Sequence, residues 1–167
     1  MAKAIRIHQH GRPRLPILLL SLGAALNSGC STPRFVIEAE NARTNTHIVL
    51  AFEETVYNRH RVREGFNRYV SSDYKEHDAS LPADLDAATK ALSNELTNVL
   101  PKSRVLVKRT VAQGDLVAVH ALWDQKPGET PGVARVDIYR VANSKIVEHW
   151  KVEQPVPDSP SGANNVL

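Results

Sequence analysis

The feature that most constrains this chain is a change of hydrophobic period at Arg104. Upstream of it, apolar residues recur at helical spacing. Ile48, Val49, Phe52 and Val56 mark one stripe, Val62, Phe66, Tyr69 and Val70 a second that ends near Ser71, and Leu85, Ala88, Leu92, Leu96 and Val99 a third. Asp84 or Asp86 is placed to cap the third helix, and Pro101 closes it. Downstream the period is two: RVLVKRTV, LVAVHALW, VARVDIYRV and IVEHWKVEQ each run between turn residues and read as strands. Three helices followed by four hairpin-linked strands predict a single α+β domain over residues 45–157.

The first 30 residues have a different character. Lys3, Arg6, Arg12 and Arg14 precede an apolar run from Leu15 to Leu26, which is too short to span a bilayer and reads as a signal peptide. The single cysteine, Cys30, closes the small-residue stretch LNSGC. That stretch resembles the bacterial lipoprotein cleavage box, although Asn27 stands where the pattern has an apolar residue. A lipidated Cys30 and ordinary export both remain open, and either places the mature protein in the bacterial envelope. With one cysteine there is no intrachain disulfide. Residues 31–44 read as a linker, and residues 158–167, rich in Pro, Ser, Gly and Asn, as a disordered tail.

Charge excludes one class of partner. The leader's four cations account for more than the whole formal net charge of +3, leaving −1 for residues 30–167. NRHRVR, Asn58 to Arg63, is too short for a nucleic-acid face and reads as a solvated helix junction.

Two-residue turns at Gln113-Gly114 and Asn143-Ser144, with a symmetric DQKPGETPG loop between the middle strands, set an expected register. In that register Asp137 faces both Trp150 and His120, and His120 faces Val107. This face also carries Val105, Arg109, Ala118, Leu122, Arg135 and Tyr139. The other presents Leu106, Val117, Val119, Ala121, Trp123, Val136, Ile138, Val147 and His149, the last as an interface or surface residue. Both faces are substantially apolar, and the helices can cover only one. A second copy of the sheet would cover the other, which predicts a homodimer.

Asp137 and His120 then form the constellation of interest under the helices, with Tyr139 and Trp150 beside them. Burial raises a carboxyl's proton affinity and a nearby imidazolium lowers it, a combination suited to acid–base work. The competing reading is a core pair whose members satisfy each other's hydrogen bonds. Tyr74 and His77, in SSDYKEHDAS, stand where chain reversal can aim them at the same pocket. No phosphate loop, nucleophile elbow, HExxH or metal-ligand spacing is present, so no cofactor or metal is expected.

VAQGDLVAVH, with VDIYRVANSKIVEHWKVEQPVP, resembles the SnoaL-like polyketide cyclase group of the nuclear transport factor 2-like superfamily over about residues 45 to 157. The resemblance implies a cone-shaped fold, three helices over a curved and mainly antiparallel sheet, usually dimeric. It implies a cofactor-independent aldol-type chemistry in which Asp137 moves the proton and His120 assists. It also places Tyr74 and His77 at the pocket mouth, where HDASLPADL departs from the group's usual continuation. The expectation is an acid–base lyase, isomerase or cyclase acting on a small carbonyl compound. A noncatalytic ligand-binding domain is the alternative.

Overall fold

The computed structural model describes residues 34–157 and Leu167. The leader, Cys30 and most of the tail lie outside the described residues. Helix α1 (Arg34–Glu53) runs into a π-helical turn, Glu54–Asn58, and is followed by α2 (Val62–Tyr69). Strand β1 (Val70–Glu76) precedes α3 (Leu85–Asn94), which also ends in a π-helical turn, Glu95–Val99. Strands β2 (Arg104–Gln113), β3 (Leu116–Asp124), β4 (Val133–Ala142) and β5 (Lys145–Pro155) complete the sheet.

The three helical stripes fold as the periodicity predicts. Val49, Phe52, Val56, Val62, Phe66, Leu92 and Leu96 all point into one core, and it is closed from below by Val117, Val119, Ala121, Val141 and Ile146 of the sheet. Asp84 rather than Asp86 caps α3, its carboxylate accepting from Ala87 N at 2.8 Å. Helix α1 starts earlier than its buried stripe, at Arg34, so the segment read as a linker is largely helical. Its side chains from Val36 to Asn41 are exposed, which is why no amphipathic signal marked it.

The sheet has five strands in the order β1-β5-β4-β3-β2. The unexpected member is β1, an edge strand parallel to β5, built from the mostly polar VSSDYKE that carries no clear alternation. Every other pairing is antiparallel.

Three offsets correct the expected register. The first hairpin turns on Gly114-Asp115, with Gln113 opposite Leu116. The middle loop centres on Gly128, a residue and not a bond, so His120 pairs with Val136 and Val119 with Asp137. The last hairpin does turn on Asn143-Ser144, both left-handed at φ 50° and 60°. Val147 then bulges out of β5, shifting Asp137 opposite Lys151 and Ile138 opposite Trp150. Because side chains alternate, the one-residue slips in the middle and last pairings move side chains to the other face, whereas the first hairpin shifts by two, putting Arg109 in place of Val107 opposite His120 on the same face. Gly132 anchors the middle loop at φ 86°, where a Cβ would lie 2.7 Å from the Trp123 carbonyl oxygen.

The helix-covered face therefore carries Trp123, Arg135, Asp137, Tyr139 and His149, all buried. His120 and Trp150 belong to the opposite face, beside half-buried Leu122, Val136 and Ile138 and exposed Val111 and Val152. The pairing of Asp137 with His120 does not form, and His149 is a core residue, not a surface one.

Candidate functional site

Under the helices, alternate positions of β4 bring three polar side chains inward: Arg135 at 1% exposure, Asp137 at 0% and Tyr139 at 1%. Such groups require partners in a dry core. Arg135 Nη2 donates to Glu53 Oε2 at 2.7 Å, and Tyr139 donates its hydroxyl to Glu53 Oε1 at 2.5 Å. Glu53 arrives from the end of α1, on the same stripe as Val49, Phe52 and Val56. The Arg135 guanidinium lies 4.1 Å from the ring centre of Tyr57, whose face offsets part of its desolvation.

Asp137 is held from two sides. Its Oδ1 accepts from His149 Nε2 at 3.0 Å. Its Oδ2 lies 2.7 Å from Arg135 Nε, but the N–H is not directed along that line, and neither atom has a hydrogen bond. His149 Nδ1 stands 2.9 Å from Glu76 Oε1 on β1, and Tyr74 donates to the other oxygen of Glu76 at 2.5 Å. The imidazole stacks on Tyr139 at 4.6 Å. The result is a continuous buried chain, Glu53, Arg135, Asp137, His149 and Glu76, crossing the fold from α1 to the sheet edge.

Electrostatics follow from this order. Burial pushes the Glu53 carboxyl up, against Arg135. Burial also opposes ionisation of Asp137, but Arg135 and His149 overcome it and hold the carboxyl below its ordinary value. Glu76 is lowered as well, against its own burial, chiefly by His149. Burial disfavours the imidazolium of His149, yet Asp137 and Glu76 raise it to about 9.

A partly enclosed cavity of about 220 Å³ opens onto this chain. Arg135, Trp123 and Tyr57 form part of its lining, with Leu81 and Leu92 as apolar wall and Lys151 and Glu95 as charged wall. Lys151 is ion-paired to Asp78 at 2.7 Å and Glu153 at 3.1 Å. A larger hollow of about 460 Å³ lies between α2 and α3, but none of the buried charged groups lines it. Among the described residues no group of three or more His, Cys, Asp or Glu is placed to hold a metal ion.

The sequence model of the SnoaL-like polyketide cyclase family matches residues 47–157. The chain belongs to that family. Solved structures agree on the nuclear transport factor 2-like fold. A candidate polyketide cyclase from Acidithiobacillus ferrooxidans is 21% identical with a TM-score of 0.53, the match covering 66% of this chain and 87% of that one. Another from Bacillus cereus is 18% identical at a TM-score of 0.56, covering 66% and 74%. A nuclear transport factor 2-like protein of unknown function from Mesorhizobium loti is 17% identical at 0.55, covering 68% and 93%. Comparison with curated proteins finds no significant match.

Of the residues expected at the site of this SnoaL-like domain, Asp137, Tyr139 and Tyr74 lie on the helix side, Tyr74 with its ring against Phe66. His77 and Trp150 leave it: their rings stack in parallel at 4.9 Å, and His77 pairs with Glu148 at 2.8 Å. Sequence reasoning missed Glu53, Glu76 and His149 as members. An acid inside an apolar helical stripe was the available signal for Glu53. His149 was hidden by the bulge at Val147, and Glu76 by an unrecognised strand.

Proposed function

We propose that this SnoaL-like domain is a cofactor-independent acid–base enzyme, of cyclase, lyase or isomerase type, for a small carbonyl compound bound in the 220 Å³ cavity. Asp137 is the proton carrier in this reading. The observation that supports it is the Asp137 Oδ2 oxygen, which has no hydrogen bond and sits directly behind Arg135, a residue of the cavity lining. When a ligand oxygen draws the guanidinium away, Oδ2 loses its counter-ion and gains basicity, while His149 keeps Oδ1 oriented. Arg135 then stabilises the oxyanion that develops on the substrate. His149 takes the assisting place expected of His120.

A second reading, a noncatalytic ligand-binding domain, draws on the full burial of Asp137, whose side chain is not part of the cavity lining. One experiment separates the two. In deuterium oxide, small ketones are incubated with the protein and exchange at the carbon next to the carbonyl is followed by NMR. The enzyme reading expects catalysed exchange that falls at least about 100-fold in Asp137→Asn with ketone binding retained. Binding without exchange in the wild type leaves the binding-module reading.

Export belongs to the proposal too, supported by the pattern of the leader, with Cys30 as its lipidation site. The mass of the mature protein from a native membrane fraction tests it.

A further inference from the structure

We propose that Tyr57 is a further catalytic residue of the cavity site, its hydroxyl donating to the same substrate carbonyl oxygen that Arg135 holds. This deepens the reading of the cavity as the substrate site and rests on it. Tyr57 belongs to the π-helical turn after α1, where Thr55, Val56 and Tyr57 are all buried. Its neighbours Tyr139 and Tyr74 donate their hydroxyls to Glu53 and Glu76. Tyr57 is only 6% exposed, yet its hydroxyl has no hydrogen-bond partner among the described residues. Nor is it fully enclosed: the enclosed polar atoms without a partner are Ser103 Oγ, Trp123 Nε1, Arg135 Nε and Asp137 Oδ2 among the described residues. The hydroxyl therefore keeps an opening, and Tyr57 lines the 220 Å³ cavity but not the larger hollow between α2 and α3. A donor held this deep without an acceptor is costly, and the acceptor a cavity can bring is an oxygen of its occupant.

The Arg135 guanidinium lies over the Tyr57 ring, 4.1 Å from its centre, so a cation and a neutral O–H share one wall of the cavity. Ser80 and Lys151, also in the lining, are engaged by Asp78. Burial, and then the charges of Glu53, Asp137 and Glu76, push the Tyr57 phenol well above its ordinary value, outweighing Arg135. It stays protonated and gives a hydrogen bond; it is not a base. In the proposed reaction Asp137 takes the proton from the carbon next to the carbonyl, the C–H pair becomes the new C=C bond, and the carbonyl π pair moves onto oxygen. That oxygen gains negative charge, so the bonds from Tyr57 and Arg135 strengthen in the transition state. Size narrows the substrate, because 220 Å³ equals about seven waters at roughly 30 Å³ each, room for one ring.

The test follows the carbonyl carbon of ¹³C-labelled cyclohexanone by NMR, since a hydrogen bond to the oxygen moves that carbon downfield. Wild-type protein should move the signal saturably. Tyr57→Phe, which keeps the ring beneath Arg135 and removes the donor, should lose part of the shift and weaken binding roughly five- to tenfold. Methylenecyclohexane, which has no oxygen, should bind both proteins equally. Exchange of the ketone in deuterium oxide should fall about 100-fold or more in Tyr57→Phe, mainly in kcat. The hydroxyl holds nothing in the fold, so the urea midpoint of ligand-free Tyr57→Phe should match wild type. The proposal is overturned if the bound carbonyl signal is the same in both proteins, if cyclohexanone does not bind wild type up to its solubility limit, or if ligand-free Tyr57→Phe is destabilised. A Tyr57-dependent carbonyl shift without exchange refutes the enzyme reading alone. Exchange at one rate in both proteins refutes the present inference alone.

Discussion

His149 Nε2 stands 3.0 Å from Asp137 Oδ1, while Nδ1 of the same ring stands 2.9 Å from Glu76 Oε1. An ionised carboxylate can only accept, so both ring nitrogens carry protons and the residue is an imidazolium clamped between two acids. It ties the parallel edge strand β1 to the centre of the sheet.

Stability should therefore depend on pH on the alkaline side. The folded value of about 9 lies above the ordinary 6.5, so this stabilisation is complete below about 6.5 and disappears as pH rises through about 9. Urea unfolding at a series of pH values should show a loss on the order of 3 kcal/mol across that window. His149→Gln should flatten the profile. A wild-type curve that is level from pH 6 to 10 would contradict the assignment.

Arg135 compensates two buried acids at once, Glu53 and Asp137. Arg135→Met fills similar volume but strands both carboxylates, and should cost about 3–5 kcal/mol in chemical denaturation. Pairing it with Glu53→Gln should recover part of that loss, because one stranded charge is removed. Strict additivity of the two substitutions would argue against the contact.

Gly65 tests the packing of α2 on the π-helical turn. Alanine in a helix ordinarily stabilises relative to glycine by about 0.5–1 kcal/mol. Here the new Cβ would lie 2.4 Å from Cγ2 of Val56, which is fully buried. Gly65→Ala should instead destabilise by about 1–3 kcal/mol, and Val56→Ala in the same chain should relieve the clash.

The open face of the sheet supports the proposed homodimer through Val111 and Val152, each 67% exposed, around half-buried Leu122, Val136 and Ile138. Sedimentation should show a dimer that Val111→Asp and Val152→Asp together convert to monomer. A wild-type protein that sediments as a monomer at every concentration would refute this.

How far the residues foretold this arrangement depends on the kind of signal each segment carried. The helical stripes and the alternation of β2 to β5 are dense in apolar residues, and those elements formed where expected. VSSDYKE has little to bury, so β1 was invisible, and with it Glu76. Asp137 was recognisable as an acid interrupting an apolar strand, whereas its true neighbours depended on parity. A symmetric nine-residue loop necessarily centres on Gly128 and puts Asp137 opposite Val119, so that pairing was legible, whereas whether Val147 pairs or bulges is settled by tertiary packing. Together the two features turn the expected partners, His120 and Trp150, away from the helices.

The bulge at Val147 thus acts as a selector of what kind of chemistry the interior can hold. Were Val147 to take a place in the ladder instead of bulging, an indole would stand opposite Asp137 while the imidazole swung outward. Glu76 would then have no cation to hold it, and the parallel edge would be free to peel.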